Sequence, residues 1–167
     1  MEIRAYTPND NKEFVKFYEA LVKENDTQLL TPKEMEEHIA KEEKKLENKH
    51  KYSHLFIAEE DNEIVGYLAI KHIHFERIRH IAKLSLGFLK EYQEKENLGA
   101  QLVQYAIQWA ENNNIKRLEI VVADKDNHLE DLLEDLDFAT EGTRKHSLKI
   151  KDKYHDEVIM VKEINKN

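Results

Sequence analysis

The chain has 167 residues, with 26 Lys and Arg against 34 Asp and Glu, a formal net charge of −8 at pH 7. An acidic chain repels phosphate backbones, which argues against a nucleic-acid partner, and the absence of cysteine excludes disulfides, thiolate zinc sites and thiol nucleophiles. A chain of this length buries roughly 70% of its unfolded surface, enough for a single domain over residues 1–167 without staples or metals.

The first residues, MEIRAYTPND, hold no apolar stretch of signal-peptide length. The longest apolar run, Ile64–Ile70, is broken by glycine and is far too short to span a bilayer. A cytoplasmic chain with no membrane partner is expected. Ile3 and Ala5 alternate with polar residues, a short strand. Asp10 opens a helix with Glu13 as its capping-box acid, and Phe14, Phe17, Tyr18, Leu21 and Val22 recur at helical spacing. Thr31, Pro32 and Glu34 start a second helix. From Lys33 to His50 it is nearly all charge, with a thin apolar stripe of Met35, Ile39 and Leu46, which reads as a surface helix or lid.

The middle is strand-like. Leu55–Ala58 and Ile64–Ile73 form a hairpin around the polar turn Glu60–Glu63, and His74–Arg79 is a loop. His80–Lys90 is a longer strand, where Gly87 marks a bulge or a close backbone approach. A helix follows, with Leu98, Leu102, Tyr105, Ala106 and Trp109 on one side, stopped by Asn112–Asn114. Arg117–Ala123 is a buried strand, and Asp126 or Asn127 caps a short helix carrying Leu129, Leu132, Leu133 and Leu136. Phe138–Ile150 and Tyr154–Ile164 are two final strands, whose edge suits pairing with a second copy in a homodimer. The order predicts an α/β (α+β) domain: a mostly antiparallel, twisted sheet of about seven strands, flanked by about four helices, with one parallel crossover.

The element order and four segments carry a resemblance. Leu84–Tyr92 resembles the fourth strand, and its exit, of the GNAT N-acetyltransferase superfamily. Gly99–Leu102 resembles the end of that family's acetyl-CoA motif, Arg/Gln-x-x-Gly-x-Gly/Ala, Ile115–Val122 its fifth strand and Tyr154–Met160 its last. The resemblance implies a splay between strands four and five and an acetyl-CoA-dependent N-acetyltransferase. A primary amine, on a small molecule or a protein, attacks the thioester directly, and no metal is needed. The acidic net charge favours a cationic acceptor, and Glu24–Thr31 would border its site. The pantetheine arm would pair with Leu86 and Phe88 of the fourth strand, with an amide near Phe88 facing the oxyanion. Amides at the start of the following helix would hold the pyrophosphate. Counted back from Gly99, the motif covers Glu94–Gly99, including the acids Glu94 and Glu96; Glu94, Lys95, Asn97, Leu98, Gly99 and Ala100 are the implied CoA-binding residues, and Asn127 matches a CoA-contacting asparagine.

The motif is degenerate. Glu94 stands where the family has arginine or glutamine, and Asn97 stands for its first glycine, which asparagine can replace because it tolerates a left-handed backbone. Counting from Tyr92 instead implies a one-residue insertion that turns the acids outward. The family's tyrosine acid falls on Leu133 or Glu134, so Glu134 is the candidate acid. His80 is the candidate base, with Glu76 and Glu119 as rivals. His72, His74 and His80 are close in sequence, but an ordinary polar face is the simpler reading than a metal site. A binding protein with weak or lost catalysis on the same fold is the competing expectation, and an unrelated α/β domain is a third.

Overall fold

The computed structural model describes residues 1–46, 53–124 and 126–164. The elements are β1 (Glu2–Ala5), a 3-10 turn (Pro8–Asp10), α1 (Asn11–Glu24), α2 (Pro32–Leu46), β2 (Ser53–Glu60), β3 (Glu63–His72), β4 (Ile81–Phe88), α3 (Lys90–Glu96), α4 (Leu98–Asn112), β5 (Arg117–Ala123), α5 (Asn127–Asp135), β6 (Ala139–Ile150) and β7 (Lys153–Glu163). The seven strands form one sheet in the order β1-β2-β3-β4-β5-β7-β6. Only β4 and β5 run parallel, joined through α4. The expected mixed, mainly antiparallel sheet is therefore present.

Local chemistry sets most boundaries. Asp61 and Asn62 adopt φ of 50° and 64°, the left-handed pair of a tight hairpin turn between β2 and β3. Lys151 and Asp152 repeat that device between β6 and β7, with φ of 48° and 64°. At α2, the Thr31 N–H donates to Glu34 at 3.0 Å and the Glu34 N–H donates to the Thr31 hydroxyl at 3.2 Å, the expected capping box. The Thr31 N–H, and then the Thr31 side chain, hold the Glu34 carboxyl below the usual range. At α1 the expectation fails. A 3-10 turn precedes the helix, and Asp10, not Glu13, is the capping acid, accepting from the Thr7 N–H at 2.8 Å.

Two cores pack on opposite faces of the sheet. One lies under α4 and α5 and includes Leu68, Ile70, Leu84, Leu86, Leu98, Leu102, Leu118 and Leu133. The other lies under α1 and α2 and includes Phe14, Phe17, Tyr18, Leu21, Ile39, Ile57 and Tyr67. The first-helix aromatics are thus core, as their spacing predicts. Ile39 anchors α2 into this core, so the helix is more than a charged lid; residues 47–50 of the charged stretch lie outside the described residues. α3 is an element beyond the four helices expected. The fourth strand ends at Phe88 rather than Lys90, and the chain turns at once into α3.

Candidate functional site

β4 and β5 pair from Ile81↔Arg117 to Leu84↔Ile120. Beyond that point β4 continues to Phe88 and β5 to Ala123 without pairing with each other. The strands splay, and the gap opens into a cleft of about 890 Å³. Leu84, Ser85 and Leu86 line one side of the gap and Ile120–Ala123 the other. The backbone of β4 shows which groups face the gap. The His80 carbonyl accepts from the Arg117 N–H at 3.1 Å, and the Leu89 N–H donates to Val65 at 3.0 Å. Peptide directions alternate along a strand. Even-numbered residues therefore face β5, and the amides of Leu86 and Phe88 point at the open edge.

The connection between α1 and α2 straps the cleft at both ends of the gap. The Lys90 N–H donates to Glu24 at 2.8 Å on the β4 side. Asn25 and Thr27 donate to Asp126 at 3.3 and 3.4 Å on the β5 side. Between them Tyr67 donates to Gln28 at 2.6 Å and Tyr18 to the Leu30 carbonyl at 2.7 Å. Burial pushes the Tyr67 phenol up to about 12, against a smaller opposing pull from Ser85. The phenol therefore stays protonated and donates to Gln28. Gly87 fits beneath the strap because a Cβ there would lie 2.5 Å from Leu21 and 2.8 Å from Tyr67. Its close approach is real, while the β3–β4 register runs without a bulge.

The start of α4 packs against the end of β4. A Cβ on Gly99 would lie 2.6 Å from Leu132 and 2.8 Å from the Phe88 ring. Leu98 is fully buried, and Ala100 follows on the first turn. Asn97 adopts φ 53°, ψ 49°, the left-handed conformation expected of it. Gln93 reaches back across this joint. Its carbonyl oxygen accepts from the Gly99 N–H at 2.7 Å, and its amide donates to Asn97 at 2.9 Å. The side chain that meets the helix start is thus Gln93. Glu94 projects to solvent, 68% exposed and 3.9 Å from Lys90, and Lys95 pairs with Glu91 along α3.

Of the residues singled out by sequence, Leu86 lines the cleft. Phe88, Asn97, Leu98, Gly99 and Ala100 gather at its rear. Asn127 is the first residue of α5, but Asp126 caps that helix, accepting from the Leu129 N–H at 3.2 Å. His80 lies at the paired end of β4, four residues before the splay and outside the cleft lining. Glu134 is exposed on α5 while Leu133 is fully buried; neither lines the cleft. His72 stacks on His54 with ring centroids 5.6 Å apart, beside Trp109. Among the described residues no three His, Asp or Glu side chains gather as a metal site. Of the rival bases, Glu119 faces the cleft at the vertex of the splay, accepting from Arg117 at 3.0 Å. Lys71, Lys83, Ser85, Arg144 and Glu157 also line it. Sequence reading misses this set because alternation along each strand is visible but the alignment of β3, β4, β5 and β7 is not.

A strand pair that separates halfway, with a helix start behind the gap, defines the acetyltransferase architecture. The chain matches the Acetyltransferase (GNAT) family over residues 14–138 and belongs to that family. Its fold is similar to the acetyltransferase of GNAT family from Streptococcus pneumoniae, at 28% identity and TM-score 0.78, covering 98% of this chain and 99% of that one. It is also similar to the ribosomal-protein-alanine N-acetyltransferase of Brucella melitensis, at 20% identity and TM-score 0.77, covering 98% and 100%. The phosphinothricin acetyltransferase of Sinorhizobium meliloti, solved in complex with AcCoA, shares the fold at 14% identity and TM-score 0.81, covering 98% and 88%. No curated protein matches the chain. Among the described residues no helix is long and apolar enough to cross a membrane.

Proposed function

We propose that this chain is an acetyl-CoA-dependent N-acetyltransferase that passes the acetyl group directly to a primary amine. The observation that carries the reading is the loss of β4–β5 pairing after Leu84↔Ile120 while both strands continue. The open edge of β4 offers unpaired amides to an extended pantetheine arm, as an added strand would use them. The Leu86 and Phe88 N–H groups are the donors that would hold the oxyanion as the amine adds to the thioester carbonyl. The pyrophosphate would lie at the start of α4, near Asn97, Leu98, Gly99 and Ala100, and Asn127 at the start of α5 borders the same end. That the phosphinothricin acetyltransferase sharing this fold was solved with AcCoA supports acetyl-CoA as the co-substrate.

In the reaction the amine nitrogen forms a bond to the acetyl carbon, the C–S bond breaks, and CoA leaves as the thiolate. The nitrogen loses one proton and the thiolate gains one. Glu119 is the cleft carboxylate nearest the vertex and is the group we assign to receive the amine proton. The Tyr67 hydroxyl donates to Gln28 in the strap, which makes Tyr67 a positioning residue.

Thermal unfolding with acetyl-CoA tests the reading. Ligand at about 100 times its Kd adds about 2.7 kcal/mol of stability; no shift at millimolar ligand sinks the proposal. Thiol release across an amine panel tests turnover. A second reading, a binding protein with weak or lost catalysis, is favoured by Gln93 occupying the Gly99 N–H and by the lack of a phenol on α5. A thermal shift without thiol release selects it.

A further inference from the structure

Lys71 on β3 and Lys83 on β4 stand directly opposite each other in the antiparallel ladder. Both line the cleft. Like charges in that position repel and destabilise a sheet. Among the described residues neither lysine comes within 4.0 Å of a carboxylate oxygen. The nearest acid in register, Glu119 opposite Lys83, is engaged by Arg117 at 3.0 Å. Glu119, Asp126 and Glu157 line the same cleft, but each is engaged elsewhere: Glu119 by Arg117, Glu157 by Arg144 at 3.8 Å, and Asp126 by Asn25 and Thr27. The two ammonium groups are therefore the cleft charges left for a ligand, in a chain whose net charge is −8 and whose distant surface acids are screened.

The position of the pair adds a distance. Lys83 precedes Ser85 on the same face of β4, roughly 7 Å along the strand, and Ser85 and Leu86 border the gap assigned to the thioester. An amine at the gap and an anion at the lysines therefore fit on one small molecule. We propose that the acceptor is a zwitterionic small molecule, a primary amine that also carries an anionic group, held by Lys71 and Lys83. This rests on the acetyltransferase reading and reverses the cationic acceptor that net charge favours.

The test compares matched acceptors. α-Amino acids are set against their carboxamides, and 2-aminoethyl phosphate against ethanolamine, so that the two arms separate carboxylate from phosphate. Thiol release from acetyl-CoA is followed, and in parallel each acceptor is titrated calorimetrically into the protein with and without CoA. At least one anionic member is expected to exceed its neutral partner tenfold in kcat/KM or in affinity. In the Lys71→Gln/Lys83→Gln double variant that preference falls below threefold, while the acetyl-CoA thermal shift is retained. Equal or better use of the neutral members, binding of neither kind, or a preference that survives the double variant overturns the inference. Failure of the acetyl-CoA shift in the unmodified protein strikes the acetyltransferase reading instead, and the calorimetric comparison still decides the anion question.

Discussion

Gly99 is closely packed and Gly142 is open. A Cβ at Gly99 meets Leu132 at 2.6 Å and Phe88 at 2.8 Å, whereas at Gly142 nothing lies within 4 Å. The acetyl-CoA motif suggests that Gly99 is small to let phosphate approach; the structure adds that it is small so that α4 can seat on β4. Gly99→Ala gains up to about 1 kcal/mol of helix propensity but overpacks at a cost of about 1–3 kcal/mol. The packing term wins, and a loss of roughly 1 kcal/mol, about 2–4 °C in Tm, is expected by thermal denaturation. Gly142→Ala is expected to raise stability by about 0.4–1 kcal/mol through the unfolded chain. A stabilised Gly99→Ala variant would show that Phe88 and Leu132 yield freely. At Glu94, which projects to solvent, Glu94→Gln is expected to leave acetyl-CoA affinity within about twofold by titration; tighter binding would place that carboxylate beside the phosphates.

Helix α5 begins where the strap is tied. Asp126 caps the helix through the Leu129 N–H at 3.2 Å, and its other oxygen takes Asn25 and Thr27 at 3.3 and 3.4 Å. One carboxylate thus couples the α5 start to the wall of the cleft. Asp126→Ala removes the cap, worth about 0.5–2 kcal/mol, and frees one end of the α1–α2 connection. Lower Tm together with a raised acceptor KM is expected, with kcat less affected. Asp126→Asn keeps a capping oxygen and is expected to restore most of the stability. If both variants lose stability equally, the charge rather than the cap is what matters.

Across the whole molecule, acid sensitivity follows from carboxylates held in their charged form. The Arg4 guanidinium donates to Asp10 at 2.8 Å and also to Glu59, bridging β1, the turn before α1 and β2. Hydrogen bonds from Arg4, and then from the Thr7 N–H, hold the Asp10 carboxyl below its ordinary value despite partial burial. The His146 N–H, with Lys145, does the same for Asp156 in the β6–β7 hairpin. A depressed carboxyl contributes its full stabilisation above its unfolded pKa, near 4, and loses it as pH falls through the folded value. The urea midpoint is therefore expected to hold above about pH 5 and to fall below about pH 4. Asp10→Asn is expected to cost about 1–2 kcal/mol near neutrality, between the values for an exposed ion pair and a desolvated charged bond, and to flatten the acid limb. An unchanged acid limb would remove Asp10 from this account.

Much of this architecture is written locally. The helical spacing of Phe14, Phe17, Tyr18 and Leu21, the Thr31–Glu34 box and the polar turn at Asp61–Asn62 act within a few residues, so the order of the elements other than α3 and the core face of α1 follow from the sequence alone. The tolerance of Asn97 for a left-handed backbone is equally local. The fate of His80, Gln93 and Lys83 is not. Whether His80 lies at the closed or the open end of β4 depends on where pairing with β5 stops. That Gln93 meets Gly99 depends on α3 folding back. That Lys71 faces Lys83 depends on strand register, which the packing of both sheet faces sets. Periodicity fixes which way a side chain points from its own strand; only the assembled sheet decides what it finds there.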